Sequence, residues 1–176
     1  MTTTAETRHD LRAGTSWRID PACTQAEFRV RHFWGLATVK GQFEDLDGRL
    51  RVLEDGRCEI ELDIDAASVD TGNRKRDEHL RSPEFFDVDR HPTVAFRSTS
   101  ADDAGDGRLR VAGRLEAAGE YAPLVLDAAV RPAGDGLEID AATTVDQRRL
   151  GMTWSPLGMA KAPVALSVRA RLEESR

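Results

Sequence analysis

Along most of the chain apolar and polar residues alternate with a period of two, the mark of strands with one face buried and the other in water. Phe28, Val30, His32 and Trp34 fall on one side of such a stretch, with Glu27, Arg29 and Arg31 on the other. Ala37, Val39, Gly41 and Phe43 repeat it against Thr38, Lys40 and Gln42, and Cys58, Ile60, Leu62 and Ile64 against Glu59, Glu61, Asp63 and Asp65. The second half continues with Val94, Phe96 and Ser98, then Leu109, Val111, Gly113 and Leu115, then Leu124, Leu126, Ala128 and Val130. Leu137, Ile139 and Ala141 follow, and Val164, Leu166, Val168, Ala170 and Leu172 finish the series. Asp47-Gly48, Asp55-Gly56, Asp106-Gly107 and Asp135-Gly136 read as hairpin dipeptides between these runs. The pattern predicts an all-β antiparallel meander, closed either as a sandwich or as an up-and-down barrel.

One stretch breaks the alternation. From Gly72 to Leu80 the residues favour helix, and Pro83 and Pro92 bound the segment after it. A short helical segment near residues 73–88 is expected across one end of the sheet. Asp70-Thr71-Gly72 has the tripeptide of aspartic proteases, which need two such carboxylates sharing a proton. A single copy followed by Asn73, Arg74 and Lys75 reads instead as a turn, with Asp70 or Thr71 capping the helix. Asp77 and Arg81 stand four apart, the spacing of an ion pair on one helix face. Phe85 and Phe86 are placed to drop two rings onto the mouth of the barrel, one inward and one against the rim.

Candidate chemistry is sparse. His32 shares the inward face with Phe28 and Val30. The His79 segment lacks the second histidine one turn on that zinc binding needs, and no nucleophile elbow or phosphate-cradling glycine loop is present. The sequence therefore implies no metal and no cofactor. Ala26, Ala37, Gly41, Gly113, Ala128, Ala141 and Ala170 make the inward face rich in small residues. In an eight-stranded barrel, whose interior is either filled or holds one small ligand, that favours room.

Composition narrows the classes without choosing among them. The chain has 176 residues, 40% hydrophobic and 32% charged, with a net charge of −6. That suits one globular domain, expected over residues 15–176 after a flexible tail at 1–14, and lacks the basic footprint of nucleic-acid binding. No run approaches the ~18 apolar residues of an integral membrane segment, and Met1–Asp10 has no secretory core. With Cys23 and Cys58 in no metal or disulfide spacing, the expectation is a cytoplasmic protein.

Trp17-Arg-Ile-Asp20, "FRVRHFW" (28–34) and "VKGQFED" (39–45) resemble the opening of the YceI-like family. "SVDTGNRKRDEHLRSPEFFDVDRHPTVAFRS" (68–98) resembles its longest signature almost residue for residue, and Gly113-Arg-Leu and "LGMTW" (150–154) fall where that family has matching motifs. The resemblance implies a lipocalin-like eight-stranded barrel that takes a polyisoprenoid, an isoprenoid quinone or another long-chain lipid, as a carrier and not an enzyme. It also admits a homodimer. On that reading the tail lies along Phe28, Val30, Phe43, Ile60, Leu62, Phe96 and Leu124. Phe85, Phe86, Met152 and Trp154 line the mouth, and His32 and Arg76 are the polar contacts. The chain departs from the family in carrying Cys23-Thr24 for His-Ser, Gln147 for Arg and Leu150 for Phe, which points to a different or uncharged head group. The rival reading is a lipid isomerase or hydrolase with His32 as base; a dimeric protease built on Asp70 is weaker still.

Overall fold

Alternating strands bury their apolar face only by packing it against another such face, and here the sheet does so by closing on itself. The computed structural model describes residues 11–32, 37–152 and 163–175. Its strand segments are β1 (Ser16–Ile19), β2 (Gln25–His32), β3 (Ala37–Phe43), β4 (Leu46–Val52), β5 (Cys58–Asp65) and β6 (Val69–Asp70). After one helix come β7 (Thr93–Gly105), β8 (Arg108–Ala117), β9 (Glu120–Ala133), β10 (Gly136–Val145) and β11 (Val164–Glu174). Antiparallel ladders join β1, β4, β5, β7, β8, β9, β10 and β11 in that order, and β11 pairs back onto β1. β11 also pairs with β2, β2 with β3, and β3 with β6. Three couples of segments are thus single staves broken midway: β1 with β2, β3 with β4, and β5 with β6. The whole is an eight-stranded up-and-down barrel.

The breaks lie side by side, and polar side chains at the surface take up the backbone groups they release. Asp20 accepts from the Ala22 N–H at 3.0 Å and Asp65 from the Ala67 N–H at 2.9 Å. Ser68 Oγ accepts from the N–H groups of Glu44 and Asp45 at 3.2 and 3.1 Å. Above this line of bends β2, β3 and β6 stay paired, and the helix packs beside β6. At the opposite end Trp17, Leu50, Leu137 and Leu172 are buried and close the floor. There Gly14 already donates to the Val52 carbonyl, and Leu11 packs against the core.

The turns match the dipeptide signals in part. Asp106 and Gly107 have φ of 52° and 70°, the primed geometry that suits a two-residue hairpin. Gly56 also turns, with φ 81°, whereas the last hairpin turns on Gly134-Asp135 and Gly136 opens β10. Asp47-Gly48 is not a turn: it lies within β4, opposite Asp63 and Leu62. Glycine is needed there because a Cβ would meet the Ile19 methyl at 2.5 Å and the Glu61 carbonyl at 2.9 Å. A hairpin without a dipeptide signal forms at Ala118-Gly119, where φ is 52° and 77°.

The inward glycines do not make room for a ligand. Phe28 lies over Gly41, where a Cβ would come 2.3 Å from its ring, and Phe96 over Gly113 at 2.5 Å. Each glycine seats a neighbour's ring. Ala37 is exposed, outside the interior altogether. A Cβ at Gly113 would also come 2.6 Å from the Arg97 carbonyl, an atom that cannot step aside. Gly113→Ala is therefore expected to lower unfolding free energy by about 1–3 kcal/mol, as overpacking does, read as an earlier denaturant midpoint at unchanged m-value.

Candidate functional site

The lid is built from the segment that interrupts the alternation. Asp70 Oδ1 accepts from the Gly72 N–H at 2.8 Å, a turn that Gly72 completes at φ 73°. The N-cap is Asn73, one residue beyond that tripeptide, its side chain accepting from the Arg76 N–H at 3.1 Å. One helix follows, α1 (Arg74–Arg81), and residues 82–90 continue as turns rather than helix.

Asp77 is buried and does not pair with Arg81. It accepts from the Thr71 N–H at 3.0 Å and the Thr71 hydroxyl at 2.5 Å. Arg81 instead donates to the carbonyls of Ala67 and Val69 at 2.8 and 2.9 Å, fastening the end of α1 to the broken third stave. The ion pair at helical spacing is Arg74–Glu78, at 3.0 Å. Arg76, half-buried, donates Nε to Thr71 Oγ1 at 2.7 Å and Nη2 to the Thr71 carbonyl at 3.0 Å. Thr71 thus orients both a buried carboxylate and a guanidinium.

Behind the lid the rings form a chain. Phe28 and Phe43 have centroids 5.7 Å apart, and Phe43 meets Phe86 edge-on at 5.6 Å. Phe85 packs edge-on against His79 at 5.1 Å. Below them lies a cavity of about 380 Å³, walled almost wholly by hydrocarbon. Phe28, Val30, Phe43, Ile60, Leu62, Phe96 and Leu124 line it, and so do Phe85, Phe86, Arg76 and Met152. His32 ends β2 opposite Ala37; its side chain, like the whole of Trp154, lies outside the described residues.

The wall contains more than those positions. Ile139, Ala141, Leu166 and Val168 point inward yet stay only partly buried, because their free side faces the cavity. Their alternation was visible in the sequence; nothing there separated cavity wall from packed core. Leu80, Leu150 and Gln147 join the lining from the helix and from the 3-10 turn Gln147–Leu150. Cys23, by contrast, is exposed in the turn between β1 and β2, away from the cavity. Of the departures from the family pattern, Gln147 and Leu150 bear on the interior and Cys23 does not. Cys58 is half-buried, and desolvation raises its thiol pKa, which keeps it protonated.

The sequence profile of the YceI-like domain matches residues 17–172. The chain belongs to the YceI-like family. Protein YceI of Salmonella arizonae is 36% identical over 110 residues, 61% of this chain and 56% of that protein. A UPF0312 protein of Pectobacterium atrosepticum is 37% identical over 111 residues, covering 62% and 57%. The chain thus spans little more than half the length of these relatives. Among solved structures, Burkholderia cenocepacia BcnA superposes with TM-score 0.79 at 16% identity, over 87% of this chain and 98% of that one. A polyisoprenoid binding domain from Saccharophagus degradans does so with TM-score 0.72 at 13% identity, over 90% and 98%. These last two likenesses establish the shared barrel. Among the described residues of this YceI-like chain no helix is long and apolar enough to cross a membrane.

Asp146 holds the cavity-lining 3-10 turn. It accepts from the Arg148 N–H at 3.0 Å, and the Arg148 guanidinium beside it lowers its pKa from 3.8 to about 2. A carboxylate depressed on folding stabilises the folded state fully above its unfolded value and loses that effect as pH falls through the folded one. Asp146→Ala is expected to melt below the parent at pH 7, with the difference closing as pH falls toward about 2. A gap constant with pH would show that the charge contributes nothing.

Proposed function

We propose that the protein binds a long apolar-tailed amphiphile in the barrel cavity, as carrier or sequestering agent, the ligand being a polyisoprenoid, an isoprenoid quinone or a similar lipid. The observation that carries this reading is the cavity itself: about 380 Å³, set inside the barrel and lined by hydrocarbon. Ligand sites of about 300–1,000 Å³ with few polar groups are the usual size for small-molecule binding. A cavity without polar walls holds water poorly and takes apolar guests. Membership of the YceI-like family, and a fold shared with a domain described as polyisoprenoid-binding, support the same ligand class.

Energetics favour the tail over the head. Each buried methylene contributes about 0.8 kcal/mol, so roughly fifteen carbons supply the −8 kcal/mol of a micromolar complex once an association cost of about 4 kcal/mol is met. Of the polar residues that border the cavity, Arg76, oriented by Thr71, and His79 stand on the lid helix. Arg76 still has guanidinium protons beyond the two given to Thr71, so it suits a head group that accepts hydrogen bonds. Head-group choice then sits at the lid and affinity in the barrel.

Mass spectrometry of an organic extract of protein purified without detergent is expected to show a stoichiometric species with a long apolar tail. In a homologous series of alcohols, affinity is expected to rise about fourfold per methylene until the cavity is full. Ala141→Phe fills space on the inward wall, so it should weaken binding of the longest member at least about tenfold while leaving the melting temperature unchanged or raised. Affinity indifferent both to tail length and to this substitution would refute the proposal.

A further inference from the structure

We infer that the apolar chain of the ligand passes through the barrel wall along a split between β9 and β10, an inference that rests on the cavity reading above. The β8–β9 ladder continues up to Ala117 and Glu120, and the β10–β11 ladder up to Val145 and Val164. The β9–β10 ladder stops earlier, at Asp127 opposite Ala142. Above that point, among the described residues, no backbone ladder joins the two strands. One side-chain bond spans the split, from the Thr143 hydroxyl to the Val125 carbonyl, at 2.9 Å.

The strand chemistry fits an edge left open. The Val125 carbonyl faces the split, and alternate residues of a strand turn their backbone groups the same way. Pro123 therefore also faces it, and having no N–H, it leaves no donor unpaired there. Leu124 and Leu126 line the cavity on one side of the split and Thr143 and Val145 on the other, so the split leads inward.

Its outer lip is largely apolar, with the Arg114 guanidinium lying over the Tyr121 ring at 4.5 Å from its centroid. Tyr121 and Val125 are the exposed large hydrophobic residues of the described chain, 49% and 51% accessible. The outward row Ala112, Val125, Thr144 and Ala165 carries no charge. Lower on the same wall the outward residues are tied by ion pairs such as Arg110–Asp127 and Arg131–Asp140.

Other routes break more. The floor is packed shut by Trp17, Leu50, Leu137 and Leu172. Lifting the lid would break both Arg81 bonds and part Phe86 from Phe43. Among the described residues, widening the split breaks the neutral Thr143–Val125 bond and parts β9 from the 3-10 turn Gln147–Leu150 beside it.

Continuing the register beyond Asp127 and Ala142 sets Val125 opposite Thr144 on the outer face. Val125→Cys with Thr144→Cys, in a Cys23→Ser, Cys58→Ala background, would lock the split when oxidised. Uptake and release of dansyl-labelled undecanoic acid are followed by stopped-flow fluorescence, before and after reduction. The cross-linked protein should exchange the probe at least about tenfold more slowly in both directions at unchanged Kd, with recovery on reduction. Thr143→Val removes the bond across the split and should speed exchange about fivefold. Unaltered rates in protein shown by mass to be cross-linked overturn the inference. Where the cross-link does not form, unaltered rates in Thr143→Val do so. A parent protein that takes up no probe would refute the cavity reading, and the passage with it.

Discussion

Closure of the sheet is the constraint on which everything else depends. One strand, β11, must serve a first stave that is broken in two: its end pairs with β1 through Ile19–Trp17, and its earlier half pairs with β2 through Arg29–Gln25. A continuous strand in that place would keep the wall straight. The break bends the first three staves, and the helix packs beside β6 at that end. Asp20, Asp65 and Ser68 make this affordable by accepting from the backbone donors that the bends expose. These bonds lie at the surface, so each contributes the modest net of about 1 kcal/mol usual for an exchange with water.

A barrel that keeps an apolar space inside gives up packing. Side chains around the cavity of about 380 Å³ lack partner atoms on their inner side and lose those dispersion contacts. The fold must recover this elsewhere, and the structure locates it in the floor and the wall. Trp17, Leu50, Leu137 and Leu172 are buried together at one end, and the rings of Phe28 and Phe96 pack against Gly41 and Gly113. Outside, Arg97–Asp63, Arg49–Glu61 and the Arg131–Asp140–Arg169 triple lie across neighbouring strands. Each exposed pair is individually weak, but pairs in register with the ladders keep strands from slipping. A bound tail returns part of what the void forfeits, so stability and occupancy are linked.

Features with a local signature could be read from the sequence. Strands had one, because the period of two is imposed by the backbone, and the alternation put Ile60, Leu62, Phe96 and Leu124 on the inner wall. Asp106-Gly107 was legible because both residues need positive φ, while Ala118 at φ 52° belongs to no turn composition and went unseen. Asp47-Gly48 has the composition of a turn for an unrelated reason, the close approach of Ile19 to the strand. Gly41 and Gly113 misled similarly: smallness shows that something approaches, not whether it is a ligand or a neighbouring ring. Asp77 had the spacing of an ion pair, but its burial and its bond to Thr71 are tertiary facts. The lid was visible only as a gap in the alternation, and its fastening through Arg81 was not.

The split in the wall is the least legible feature, since it consists of hydrogen bonds that are not made. Pro123 is its trace in the sequence: proline within an otherwise regular strand belongs at an edge. A closed barrel has no edge, so proline near the start of β9, still within the β8–β9 ladder, fits a place where closure fails locally. Both neighbouring ladders carry on past the point where β9 and β10 part, so the gap is not a frayed strand end. It is a discontinuity held between two intact ladders, and among the described residues no ion pair spans it. A container for an apolar molecule must be rigid enough to keep its cavity and must yield somewhere to fill it. In this barrel those demands fall on different strand pairs: rigidity where ladders and ion pairs coincide, and yielding where both are missing.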